Sequence, residues 1–194
     1  MRFDVQGNPS YGEVDVDLGP GEVMLIEPGA MSRMSSNMKS SFKRQGSFFS
    51  AIFRKMFGGE NFFLGKYEHP NGGSLTFAPS IPGHVEHRQL SNNSLNVMAG
   101  CFLACTSGVN IKAKFGGLKA FFSGEGAFLL EASGSGDLFF NSFGGIVKKE
   151  INGEFIVDTG HVVAFESSLN YSITGMGNFK STMLSGEGLV LKFK

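Results

Sequence analysis

Four groups of residues have the types, and in part the spacing, that chemistry requires. His84-Val85-Glu86-His87 places two imidazoles and a carboxylate within four residues, a donor set that suits a metal. On a strand, however, successive side chains point to opposite faces, so His84 and Glu86 share one face and His87 takes the other. His69 and His161 stand elsewhere in the chain and add no third ligand at a metal-binding spacing. Cys101 and Cys105, set four residues apart on one strand, have Cα atoms about 13 Å apart, beyond the roughly 4.4 to 6.8 Å that a disulfide spans. They read as buried free thiols. Asp158 to His161 falls in a hairpin turn with no nucleophile beside it, and the chain has no G-x-S-x-G elbow. Gly134-Ser135-Gly136 lacks the strand-to-helix context of a phosphate cradle and reads as a turn. No catalytic residue, metal ligand or cofactor is therefore expected, and the chain reads as something other than an enzyme.

The elements around these residues repeat. Ser123 to Gly145 is an organising hairpin, and Gly58 to Gly83 and Ser185 to Lys194 realign with it on a small residue, Gly-Glu, an apolar strand and a Gly-rich turn. Upstream, Gly21 to Asn37, Ser94 to Asn110 and Gly153 to Asn170 share a second pattern of two apolar runs around a Gly-containing turn. The pairs Gly59-Glu60, Gly124-Glu125 and Gly186-Glu187 stand 65 and 62 residues apart (124 less 59, 186 less 124), too far for common solenoid units. One domain over 1–194 with pseudo-threefold internal repeats at about 21–83, 94–145 and 153–194 is expected, the third repeat truncated. The three Glu of those pairs could meet around the pseudo-threefold axis as a carboxylate cluster, or simply record turn geometry.

Composition agrees with a single all-β domain. The 194 residues include 28 Gly and 21 Phe, with only 18% charged, which suits many short strands and tight turns. Basic and acidic side chains number 17 each, so the whole molecule has no electrostatic reason to gather on nucleic acid, which is not an expected partner. No basic start followed by an apolar run opens the chain, and no stretch of eighteen apolar residues occurs, so a cytoplasmic location is expected, membrane-peripheral at most. Val14, Val16 and Leu18 alternate with acidic residues as in a half-buried strand, whereas Val23 to Ile26 is continuously apolar, as in a strand buried on both faces.

Only Lys39 to Phe57 departs from this rhythm. At roughly 100° per residue, Phe48, Phe49, Ile52, Phe53, Met56 and Phe57 share one half of a helical wheel, with Ser50, Arg54 and Lys55 on the other. The spacing predicts one short amphipathic helix. Between Pro28 and Gly59 six basic residues occur and no acidic one. Lys39, Lys43, Arg44, Phe48, Phe49, Phe53, Arg54 and Lys55 thus form a candidate partner or membrane surface, unless the helix simply caps an open end of the β body.

The segments GEVMLIEPGAM, GGLKAFFSGEGAFLL, GSGDLFFNSFG, GEFIVDTGHVVAFESSLNY and MLSGEGLVLKF together resemble the bacterial members of the altered-inheritance-of-mitochondria family. That family lies within the superfamily similar to the tryptophan RNA-binding attenuation protein (TRAP). The resemblance runs the length of the chain and implies a double-stranded β-helix or TRAP-like β-sandwich. Eukaryotic members are linked to the mitochondrial inner membrane, and the resemblance carries over no catalytic residue. Two departures from the family pattern are His84, where Asp more often follows Pro-Gly, and Cys101 and Cys105, which replace small residues.

Three functional readings follow. The first is a non-enzymatic scaffold or binding module that forms a homo-oligomer. The second is a peripheral membrane-associated protein acting through the basic amphipathic helix 39–57, and the third is RNA binding by superfamily analogy. One structural expectation concerns Leu189 to Phe193. Aligned on the organising hairpin, this strand lacks a returning partner, so either a longer encoded chain or another subunit is expected to cover its edge.

Overall fold

A computed structural model describes residues 1–44, 63–114, 129–175 and 189–194. Its strands are β1 (Arg2–Gln6), β2 (Glu13–Leu18), β3 (Val23–Ile26), β4 (Met31–Met34), β5 (Lys39–Arg44), β6 (Phe63–Glu68), β7 (Gly73–Phe77) and β8 (Val85–Met98). They continue with β9 (Phe102–Thr106), β10 (Val109–Lys114), β11 (Leu129–Asn141), β12 (Phe155–Asp158), β13 (Ala164–Glu166), β14 (Tyr171–Gly175) and β15 (Leu189–Phe193). The fold is all-β, and among the described residues every ladder between these strands is antiparallel. Among the same residues, no helix is long and apolar enough to cross a membrane.

Three sheets result. A four-stranded sheet runs β1-β2-β7-β4, and a three-stranded sheet runs β12-β15-β14. Between them lies an eight-stranded sheet ordered β13-β8-β11-β9-β3-β6-β5, with β10 also paired to β11. One local arrangement occurs three times: β6 lies between β3 and β5, β11 between β8 and β10, and β15 between β12 and β14. The register is the same in each. Val23 and Lys39 flank Glu68, Asn93 and Val109 flank Gly134, and Phe155 and Tyr171 flank Phe193. Each flanking pair is 16 residues apart in the chain (39 less 23, 109 less 93, 171 less 155).

Alternation in the sequence becomes packing. Val14, Val16 and Leu18 point inward from β2 and meet Leu75 and Phe77 of β7, Met24 and Ile26 of β3, and Phe139 of β11. Leu25, between Met24 and Ile26, serves a different cluster with Leu64, Val97, Leu130 and Leu138, so β3 is buried on both faces as its apolar run implied. A third cluster, of Leu129, Phe165, Leu191 and Phe193, joins the three-stranded sheet to β11 and β13.

Several expectations are corrected. Lys39–Arg44 is not helical but an edge strand, paired along its length with β6; the helical periodicity comes from later residues. The rest of the expected helix, 45–57, lies outside the described residues, as do the three Gly-Glu pairs. Gly134-Ser135-Gly136 is not a turn. β11 runs through it, opposite a bulge in β8 where Asn92 has no residue across from it in the ladder and sits at φ 56°. The Ser135 hydroxyl donates to Asn92 Oδ1 at 2.8 Å and holds that bulge. Cys101 ends a 3-10 turn ahead of β9 and does not share a strand with Cys105. Asp158–His161 links two different sheets and does not close a hairpin, because β12 and β13 do not pair with each other. Finally, β15 has no bare edge: β12 and β14 flank it on both sides.

Candidate functional site

The loop after β11 helps to build a cleft. Ser142 donates its backbone N–H to His84 O and His84 donates its own to Gly144 O, each at 3.0 Å, so the loop start is laid against β8. That close approach needs a glycine at 83, where a Cβ would stand 1.7 Å from Ser142 O. The chain from Gly145 to Lys149 then turns away and forms one wall of a cleft of about 850 Å³, within the range of ligand sites.

The other walls are strand edges. All of β12 and all of β13 line the cleft, and each is the end strand of its own sheet. Leu95, Phe140 and Phe193 contribute apolar surface between them. Two apolar side chains of the lining, Val147 and Ile156, are 90% and 56% exposed.

The charges at the cleft are mostly paired. Glu86 lies 2.5 Å from Lys148 Nζ and 3.1 Å from His84 Nε2. Burial alone would raise the Glu86 carboxyl, but these two hydrogen bonds hold it below the usual carboxylate range. Arg88 pairs with Glu166 at 2.5 Å. Asp158 accepts the Gly160 N–H at 2.7 Å and caps the turn that carries His161 into the lining. Lys149 has no carboxylate partner among the described residues; its ammonium sits 5.4 Å from the centroid of the Phe155 ring.

The His84-Glu86-His87 group is split by the strand as its spacing implies. His87 lies on the opposite face, 2.9 Å from Asp137 and packed against Phe3 and Phe139. Among the described residues no three His, Cys, Asp or Glu side chains gather to hold a metal. Burial pushes the Cys101 thiol up to about 11, helped by the charge of Glu27, and pushes the Cys105 thiol up to about 12. Both therefore carry their protons at neutral pH, and neither is activated as a nucleophile. Such an arrangement can hold a partner, with apolar contact in the middle and fixed charges at the sides.

The candidate basic surface is only partly placed. Lys39 and Lys43 stand exposed on β5 with Phe42, which is 77% exposed, and Arg44 ends that strand. Phe48, Phe49, Phe53, Arg54 and Lys55 lie outside the described residues. Sequence reasoning missed the cleft, since its residues come from 86–95, 140, 145–169 and 193. The one local signal is Ile146-Val147-Lys148-Lys149, an apolar pair and a basic pair directly after Gly144-Gly145.

The chain is similar to known proteins along its whole length. An uncharacterized protein of Streptococcus pyogenes serotype M6 is 30% identical over 203 residues, covering 100% of this chain and 82% of that protein. The crystal structure of a Streptococcus pyogenes protein superposes with a TM-score of 0.83 at 29% identity, covering 100% of this chain and 88% of the other. Residues 3–194 match the family described as Mitochondrial biogenesis AIM24, and the chain belongs to that family.

Proposed function

We propose that this protein is a non-enzymatic binding module, a scaffold that works as a homo-oligomer. The observation that carries the reading is the cleft between β12 and β13, where Val147 and Ile156 are exposed beside charges that already neutralise one another. Apolar side chains held in water next to satisfied ion pairs suit contact with another molecule and supply no reactive group. The proposed body is a TRAP-like β-sandwich or double-stranded β-helix of three units, 21–83, 94–145 and 153–194. The threefold strand order with its constant 16-residue offset supports this architecture.

The test is affinity capture from cells with the tagged chain, run beside a variant carrying Val147→Asp and Ile156→Asp, with native mass spectrometry of both. The reading expects captured partners to be lost from the variant while the oligomer remains. An identical capture profile from both proteins removes the cleft from the account.

A second reading rests on β5, an edge strand with Lys39 and Lys43 exposed on one face and Phe42 exposed on the other. This is the described part of the basic segment, and it suits peripheral contact with an anionic lipid surface. Flotation with phosphatidylserine-containing vesicles, lost in Phe42→Ser with Lys43→Glu, tests it.

A further inference from the structure

In the eight-stranded sheet, β3 and β8 are each joined on the side away from their own triplet by a strand from later in the chain. β9 adds antiparallel to β3, with Met24 opposite Thr106 and Ile26 opposite Ala104. β13 adds antiparallel to β8, with Val97 opposite Ala164 and Leu95 opposite Glu166. One hydrogen bond extends each pairing: Glu27 N–H to Leu103 O at 2.8 Å, and Met98 N–H to Val163 O at 2.9 Å. β3 and β8 are the first of the two outer strands, in chain order, of the first two triplets of the β3-β6-β5 type, and β12 holds that place in the third. On β12 the corresponding place is unfilled among the described residues, and all four of its residues, Phe155 to Asp158, face the cleft.

We propose that an extended peptide segment of a partner protein adds to β12 inside this cleft as an antiparallel strand. Apolar residues at alternate positions of that peptide would meet Val147 and Ile156, and an acidic residue would meet Lys149. This deepens the binding-module reading and rests on it. Unpaired strand edges present N–H and C=O groups at about 3.3 Å per residue, a spacing that another backbone matches and that a compact small molecule does not. Charge selects the acidic residue, because Lys149 is the lysine of the lining without a carboxylate partner among the described residues, whereas Lys148 and Arg88 are taken by Glu86 and Glu166. A second copy of this chain fits less well. Its β4, the strand placed like β9 and β13 directly after the turn of its triplet, is already held by β7 from Met31 to Met34.

The probe is a phage-displayed library of random twelve-residue peptides panned on the intact chain, with the tightest enriched peptide synthesised for fluorescence polarisation. Enriched sequences are expected to alternate apolar residues and carry Asp or Glu. N-methylation of the peptide amides of one parity should weaken binding at least tenfold, while the other parity leaves it within about twofold, because only alternate amides face β12. Lys149→Glu should cost at least tenfold, and amides of 155–158 should gain exchange protection. Both Ile156→Asp and Ile156→Lys should weaken binding, and melting curves verify that these variants at an exposed position stay folded. Failure to enrich any peptide, or equal binding by both N-methylated forms, overturns strand addition. The binding-module reading would survive either result if the cleft variant still lost its captured partners.

Discussion

Asn8 and Val85 exchange two hydrogen bonds of 2.8 Å, the side-chain amide donating to Val85 O and accepting from Val85 N, across 77 residues. This reciprocal pair fastens the loop between β1 and β2 to the first residue of β8, beside Gly12, where a Cβ would meet Val85 N at 2.9 Å. Asn8→Ala leaves both backbone groups of Val85 unsatisfied and should cost about 2 to 3 kcal/mol in urea unfolding, more than one ordinary hydrogen bond.

Glu27 predicts a pH dependence. Burial raises its carboxyl from 4.5 to about 7 in the folded chain. Between those values the folded state holds a proton that the unfolded state has lost, so stability falls as pH rises. Its contribution is complete below pH 4.5 and gone once pH passes 7, a change of up to about 3 kcal/mol at 1.36 kcal/mol per unit. Glu27→Gln should flatten this slope and raise the melting temperature at pH 8; an unchanged slope would place the titration elsewhere.

Thiol reactivity gives a third expectation. With Cys101 at about 11 and Cys105 at about 12, neither forms appreciable thiolate at pH 7.5. Alkylation by iodoacetamide should be slow in the folded protein and rapid for both after denaturation, with Cys105 the slower of the two because it is fully buried.

The three-stranded sheet depends on its middle strand. Leu191 is wholly buried in a cluster with Leu129, Phe165 and Phe193, so Leu191→Ala should cost about 2 to 5 kcal/mol. Hydrogen exchange should show that β12 and β14 lose protection together, since among the described residues both pair only with β15.

Gly83→Ala should be as damaging by a different route. A Cβ 1.7 Å from Ser142 O forces the backbone apart and detaches the loop that walls the cleft. Peptide or partner binding should fall with stability in this variant, which a thermal melt and the polarisation assay read separately.

Strand character was legible where burial is one-sided or complete. Glu13 to Leu18 alternates and Val23 to Ile26 does not, and both became the strands their patterns imply. Glycine misled at Gly134-Ser135-Gly136, because a strand closely approached by its neighbours and a tight turn ask for the same residue: a Cβ at Gly134 would stand 2.5 Å from Gly108 O. Lys39 to Arg44 precedes a helical period that begins at Phe48; its own Phe42 is exposed, and pairing with β6 decides its conformation. Alignment on the organising hairpin puts the partner of β15 after it in the chain, whereas both partners come before it. The cleft left almost no trace in the sequence, since its walls come from stretches as distant as Glu86 and Phe193, and no local period marks residues that meet only through sheet packing.

The position of β15 also decides how the molecule bears load. A pull on Lys194 is directed along a strand gripped by four residue pairings on one flank and five on the other, so the ladders must slip together in shear. A pull on Met1 acts on β1, which has five pairings to β2 and, among the described residues, no second neighbour in its sheet. Tension applied between residues 1 and 194 should therefore release β1 before β15.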